Sequence, residues 1–206
     1  MQANTIVLIG AIVAGLTLPA LAEDQRYDFN DFSRVDVSSG IEVEIVEGED
    51  FNVMATARRG DLSRLVIEQR GQTLTITREV RRGLLPRGNR DQFEVAVALP
   101  HLESVAASSG SEVTVAAVGA DVSADASSRS RIDISGVEGG AVDLDASSGS
   151  SLRISGACGT LDAAASSGSS IRAEDLACHT GTVDASSGSS VHAHLSDTID
   201  VAASSG

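Results

Sequence analysis

Aromatic side chains are nearly absent. The chain has no Trp, one Tyr and four Phe in 206 residues, 2% of the total, although 42% of it is hydrophobic. All five, Tyr27, Phe29, Phe32, Phe51 and Phe93, precede residue 94. Everything after Phe93 must be packed with Val, Ile, Leu and Ala, which speaks against an aromatic-lined nucleotide or sugar pocket and for a thin stack of small repeated layers. Lysine is missing altogether, since all 15 basic residues are Arg. Schiff-base chemistry and a lysine-anchored phosphate loop are excluded with it. Positive charge is scarce where the chain is longest: residues 91–206 hold 4 Arg against 16 acids, whereas residues 23–90 hold 11 against 13. A surface that acidic repels phosphate, so nucleic acid is not an expected partner.

Long apolar runs are equally rare. One exists, Ile6 to Leu21, ending in Leu-Pro-Ala-Leu-Ala before Glu23. Residues 1–22 read as a secretory signal peptide: Ala20 and Ala22 supply the small-x-small cleavage site, and Pro19 breaks the helix just upstream. Met1 to Thr5 carries no Lys or Arg, which is atypical, and an uncleaved membrane anchor is the alternative, although the run is short for a span. Either way the remainder is expected outside the cytoplasm, in the periplasm, secreted or at the cell surface, touching a membrane only through an uncleaved signal.

What is present is a repeat. Ala-Ser-Ser-Gly or its variant recurs with its fourth residue at Gly110, Arg129, Gly149, Gly168, Gly188 and Gly206, at intervals of 19, 20, 19, 20 and 18. Three residues beyond each corner stand Val113, Ile132, Leu152, Ile171 and Val191. Five before it stand Val105, Ala124, Leu144, Ala163, Val183 and Val201. Apolar residues two apart share one face of a strand, and the residues between them, such as Asp133, Arg153, Arg172 and His192, face outward. Each repeat is thus two short strands meeting at a serine-rich corner, and residues 101–206 are expected to form a parallel β-solenoid with coils about 4.8 Å apart. Glycine at the corner supplies the positive φ of a tight bend. Arg129 breaks the rule and predicts a locally irregular coil.

Residues 23–100 also read as β, without the repeat: Phe32 to Val37, Ile41 to Val46, Asn52 to Ala57, Leu65 to Arg70, Thr73 to Arg78 and Phe93 to Leu99 alternate apolar with polar. They are expected to be the first coils of the same solenoid or a sheet capping it. An arginine-rich loop from Glu79 to Gln92 interrupts them.

The order Tyr27-x-Phe-x-x-Phe-Ser-x-Val, then Ser38-Ser-Gly-Ile-Glu-Val-Glu-Ile, Thr73-Leu-Thr-Ile, Val95 to Leu102 with Leu-Pro-x-Leu, and repeated Ser-Gly corners resembles the family described as putative autotransporter adhesin, head GIN domain. It covers nearly all of the chain after the signal. The resemblance implies a right-handed, pectin-lyase-like parallel β-helix outside the bacterial cytoplasm, with an adhesive or envelope-structural role and no established catalytic residues. One departure is that the sequence stops at Gly206 in mid-repeat, which leaves the last coil with an unpaired edge and a route to homo-oligomers.

Sites of chemistry are few. No Gly-x-Ser-x-Gly, Cys-x-x-Cys or His-Glu-x-x-His occurs, so neither catalytic residues nor a cofactor are expected. His192 and His194 project from one outward face and are candidate metal ligands if Asp175 or Asp197 joins them, against the plainer reading of solvated histidines. Asp125, Asp145 and Asp184, four residues before their corners, and Asp143, Asp162 and Asp200, six before, form acidic columns that either stay solvated or attract a hard cation. Cys158 and Cys178 lie 20 residues apart, one coil, within reach of a disulfide in an exported protein. Two functions remain: a non-catalytic binding or structural module for a surface glycan or protein, or a β-helix polysaccharide lyase. The second needs a base and usually calcium, and only Arg153 and Arg172 stack outward.

Overall fold

The computed structural model describes residues 23–79, 91–119 and 121–204. The expected signal segment and most of the arginine-rich loop lie outside them. The strands are β1 (Glu23–Tyr27), β2 (Arg34–Val37), β3 (Glu42–Glu47), β4 (Asn52–Arg59), β5 (Leu65–Arg70), β6 (Thr73–Arg78), β7 (Gln92–Leu99), β8 (Ser104–Ala107), β9 (Glu112–Val118), β10 (Val122–Ala126), β11 (Arg131–Glu138), β12 (Ala141–Ala146), β13 (Ser151–Ala165), β14 (Ser170–Ser186) and β15 (Ser190–Ser204). Among the described residues one 3-10 turn, Leu62–Arg64, interrupts them.

The strands make two parallel walls joined at the serine corners, a β-solenoid with a spacing of about 20 residues. The first wall, which precedes each corner, runs β6, β2, β8, β10, β12 and then the second halves of β13, β14 and β15. The second wall runs β7, β3, β9, β11 and the first halves of β13, β14 and β15. Space and sequence disagree in order: β2 and β3 lie between the β6–β7 coil and the β8–β9 coil, so the chain lays down one coil, steps beneath it, then climbs past it. Within residues 23–100 lie two coils of the solenoid and antiparallel strands that cap them, β1 on β4, β4 on β7, and β5 on β6.

Burial follows the period of two. Val95, Val43, Val113, Ile132, Leu152 and Ile171 form one inward column, each at most 1% exposed. Leu74, Val35, Val105, Ala124, Leu144 and Ala163 form its counterpart on the first wall, all fully buried. The aromatics sit at the capped end, where Phe32 and Phe51 meet at 5.0 Å between ring centres. At the other end the layer thins. Val191 and Leu195 are half-buried, and Ile199 and Val201 are 51% and 58% exposed, because no strand among the described residues covers β15.

The corner is built differently from a glycine bend alone. In each, the residue before the fourth position also has positive φ, Ser109 at 56°, Ser128 at 53°, Ser148 at 54°, Ser167 at 53° and Ser187 at 53°. With the bond from the last N–H to the first carbonyl, as from Ser150 to Ser147 at 3.2 Å, this is a type I′ turn. Arg129 takes the same turn at φ 62°, and its N–H reaches Ser148 O at 3.2 Å as Gly149 reaches Ser167 O at 3.1 Å. The strands on either side keep register with their neighbours, β10 with β8 and the first part of β11 with β9. The corner itself is not reshaped: the arginine accepts the strain, and the register shift of this coil falls later, between Ile134 and Val137 against β13.

Cys158 and Cys178 stand directly opposite in neighbouring coils, Cα atoms 4.5 Å apart, and form a disulfide. Reducing it, or replacing both with Ser, should cost about 3 kcal/mol through the 20-residue loop it closes, read as a fall in melting temperature; an unchanged melting temperature contradicts the bridge. Leu152→Asp places an unpaired carboxylate in the column and should abolish the cooperative transition, whereas the outward Arg153→Asp should leave it nearly intact.

Candidate functional site

The serines after the corners are interior groups. Ser130, Ser150 and Ser169 are 2–3% exposed. Each hydroxyl accepts from the N–H three residues back, Ser127, Ser147 or Ser166, at 3.0–3.1 Å. Each donates at 2.7 Å to a carbonyl of the preceding coil, Ala107, Ala126 or Ala146. Ser189 repeats the pattern onto Ala165 at 2.8 Å. Hydroxyls so engaged are unavailable as nucleophiles, and they hold the outward positions on either side at fixed spacing.

On the first wall those outward positions are acidic. Asp125 stands opposite Asp145, and Asp143 opposite Asp162. Ala164 separates Asp145 from Asp184, and Thr182 separates Asp162 from Asp200. One open trough of about 570 Å³ follows Asp125, Asp145, Ala164 and Asp184 beside the corner serines. Another of about 580 Å³ follows Asp143, Asp162, Thr182 and Asp200. Partial burial, with the neighbouring acids added, raises the pKa of Asp125, Asp143 and Asp145, and burial raises that of Asp36 on β2.

The second wall carries the scarce cations. Arg153 and Arg172 are in register on adjacent coils and exposed, and among the described residues neither makes an ion pair. His192 continues their column. His194 lies opposite Ala177 after a register shift, and both imidazoles are exposed on the outward side of β15. Asp197 pairs instead with His179, Oδ2 to Nδ1 at 3.4 Å. Among the described residues no three His, Cys, Asp or Glu gather as a metal ion requires. Ser196 Oγ also approaches His179 Nδ1, at 3.3 Å. Serine and acid thus compete for one nitrogen, whereas a nucleophile relay needs them on opposite nitrogens.

Two clusters escaped the sequence reading. Glu47, at the end of β3, accepts from the N–H groups of Leu102 at 2.8 Å and Gly119 at 3.0 Å, clasping the turns of the next coil. Arg64 and the buried Asp91 form an ion pair across the cap. Both join residues far apart in sequence, and no local signal marks them. The glutamate's place just before Gly48 at a strand end is the nearest to one.

Set beside known proteins, residues 31–206 match the family model described as "Putative auto-transporter adhesin, head GIN domain". The chain belongs to this family. A solved putative adhesin from Bacteroides fragilis has the same fold as this GIN domain at 10% identity, with a TM-score of 0.77 over 90% of this chain and 85% of that one. A putative lipid binding protein from Parabacteroides distasonis and a putative adhesin from Parabacteroides merdae superpose at TM-scores of 0.54, with 12% and 13% identity, each over 91% of this chain and 97% of the other. No curated protein matches the sequence.

The acidic trough gives this GIN domain a pH signature. Carboxyls whose pKa is raised in the fold contribute stability that is complete below the ordinary value near 3.8 and is lost as pH rises through the raised values. Asp61 and Glu94 shift the other way, through the Ser63 N–H and Arg58, but both are exposed to solvent screening. The melting temperature should therefore rise as pH falls from about 7 to about 4.5. Asp145→Asn should raise it at neutral pH and flatten the profile. A melting temperature that falls steadily over that window contradicts the account.

Proposed function

We propose that the chain is a non-catalytic, extracytoplasmic adhesive module that presents its outward strand faces to a surface glycan or protein. The observation that carries this reading is the pair of open walls. Small polar and charged side chains repeat at coil spacing over several coils, on a backbone locked from within by serine hydroxyls, so the surface is preorganised over a long distance and lacks a water-excluding cleft. The family description and the solved putative adhesins support it, as does the apolar leader at residues 6–21 for export. A polysaccharide lyase of the same architecture needs a base within reach of a proton and a cation beside the uronate. Among the described residues no three His, Cys, Asp or Glu gather beside the outward column of Arg153, Arg172 and His192.

Beads coated with the purified chain should attach to a bacterial or host-cell surface, or hit a glycan array, while the free protein releases no unsaturated uronate from polygalacturonate, alginate or heparin. Uronate release with turnover sinks the non-catalytic reading, and beads indistinguishable from uncoated ones on every surface sink the adhesive one.

A further inference from the structure

The four arginines of residues 91–206 are gathered. Arg131, Arg153 and Arg172 project outward near the start of the second wall on three successive coils, and Arg129 stands on the corner ridge beside them. Adjacent coils lie about 4.8 Å apart and alternate residues about 6.6 Å, so Arg153 and Arg172 share one column, Arg131 stands one alternate position toward the corner, and Arg129 lies about 13 Å along the strand from the column, while the first wall presents aspartates. Arg131 is held by Glu112 at 3.6 Å. Arg129, Arg153 and Arg172 are exposed and make no ion pair or hydrogen bond through their side chains among the described residues. Like charges stacked in register repel, so Arg153 over Arg172 carries an electrostatic cost, which Asp133 opposite Arg153 on the preceding coil opposes.

Arg129 is a second and independent observation. The equivalent corners carry Gly110, Gly149, Gly168 and Gly188 at φ 69–74°, and Arg129 adopts φ 62° in their place. A long side chain in the left-handed region is strained, and an outlier of this kind in a repeat that otherwise uses glycine points to use of the side chain itself. Gly149 on the next coil lies beside it, and a Cβ there would make an ordinary contact at 3.8 Å with Arg129 Cγ.

We infer that Arg153 and Arg172, with Arg129 at the corner of the preceding coil, form the docking surface for an acidic polysaccharide, a linear glycan bearing one carboxylate per sugar, that crosses the wall obliquely from the Arg129 corner to the Arg153–Arg172 column. The inference rests on the adhesive reading above and names its ligand class. Guanidinium forks match carboxylates bidentately. Arg153 and Arg172, one coil spacing of about 4.8 Å apart, reach one carboxylate together or two neighbouring ones. Ser151 and Ser170 stand one rung apart beside the arginines and offer hydroxyls to sugar hydroxyls. No apolar side chain faces outward in the patch, which removes a lipid or apolar peptide. Asp133, one rung before Arg153 in its column, and Glu174 keep its net charge low, which disfavours a polymer as densely charged as nucleic acid. The aspartates of the first wall repel a polyanion, so one face alone docks.

The test is equilibrium binding of the purified, disulfide-bonded chain to polygalacturonate at low salt, with dextran, duplex DNA and phosphatidylglycerol vesicles as the other arms. Polygalacturonate should bind and the others should not, with affinity falling as salt is added. The exposed pair Arg153→Gln and Arg172→Gln should weaken binding at least about tenfold with an unchanged melting temperature. Arg129→Gly should weaken binding while raising the melting temperature, a combination that a purely structural arginine does not give. No binding to polygalacturonate, equal binding to DNA or vesicles, or affinity unmoved in both variants overturns the inference. A glycan-array hit on neutral sugars indifferent to these variants overturns it while leaving the adhesive reading standing, and failure to attach to any surface removes the reading itself.

Discussion

Everything in this molecule hangs on the register between one coil and the next, and the buried corner serine is the contact that sets it. Its hydroxyl ties the start of its own turn to a carbonyl of the coil before, as Ser150 does between Ser147 and Ala126. A strand ladder alone tolerates slippage when its side chains are as small and alike as Ala and Val. A hydroxyl with one donor and one acceptor partner in fixed places does not. The turn it closes needs two successive residues at positive φ, of order 1–2 kcal/mol for the serine in each corner, and the hydrogen bonds from coil to coil offset that strain. Arg129 shows the strength of the constraint, since it is bent into the glycine conformation while β10 and residues 131–134 of β11 keep register with the coil before.

Fixed register places like on like. Inside, that gives unbroken columns such as Val113, Ile132 and Leu152, for which likeness is packing. Outside, the same rule stacks Asp125 on Asp145 and Arg153 on Arg172, for which likeness is repulsion. On the first wall aspartates stand on aspartates, and burial, with the neighbouring acids added, raises the pKa of Asp125, Asp143 and Asp145. The second wall mixes its cations with acids, Glu112 opposite Arg131 and Asp133 opposite Arg153. The capped end and the corners stabilise the stack, and the charged walls draw on that stability.

The repeat half was legible because its signal is periodic. The apolar offsets around each corner predicted the inward columns, and a spacing of one coil predicted the pairing of Cys158 with Cys178. The strand segments of residues 23–100 were legible individually, from Phe32 to Leu99, but their order in space was not: β2 pairs with both β6 and β8, and nothing in a local pattern says that a later coil inserts beneath an earlier one. The positive φ of Ser109 and its equivalents was hidden for a related reason. Serine seldom adopts it, and only the hydrogen bonds of the neighbouring coil make it worth adopting. The outward residues Asp125, Asp145, Arg153, Arg172, His192 and His194 were read on the right faces. Glu47 and the Arg64–Asp91 pair were missed, because their partners are fixed only once the coils have stacked.

Amide hydrogen exchange resolved by residue tests the serine-register account most directly. The N–H groups of Ser127, Ser147 and Ser166, each shared between the corner hydroxyl and a carbonyl of the previous coil, should exchange as slowly as the strand amides of Ile132, Leu152 and Ile171, and in the same cooperative unit. Corner amides that exchange at open-loop rates while the strands stay protected would contradict it.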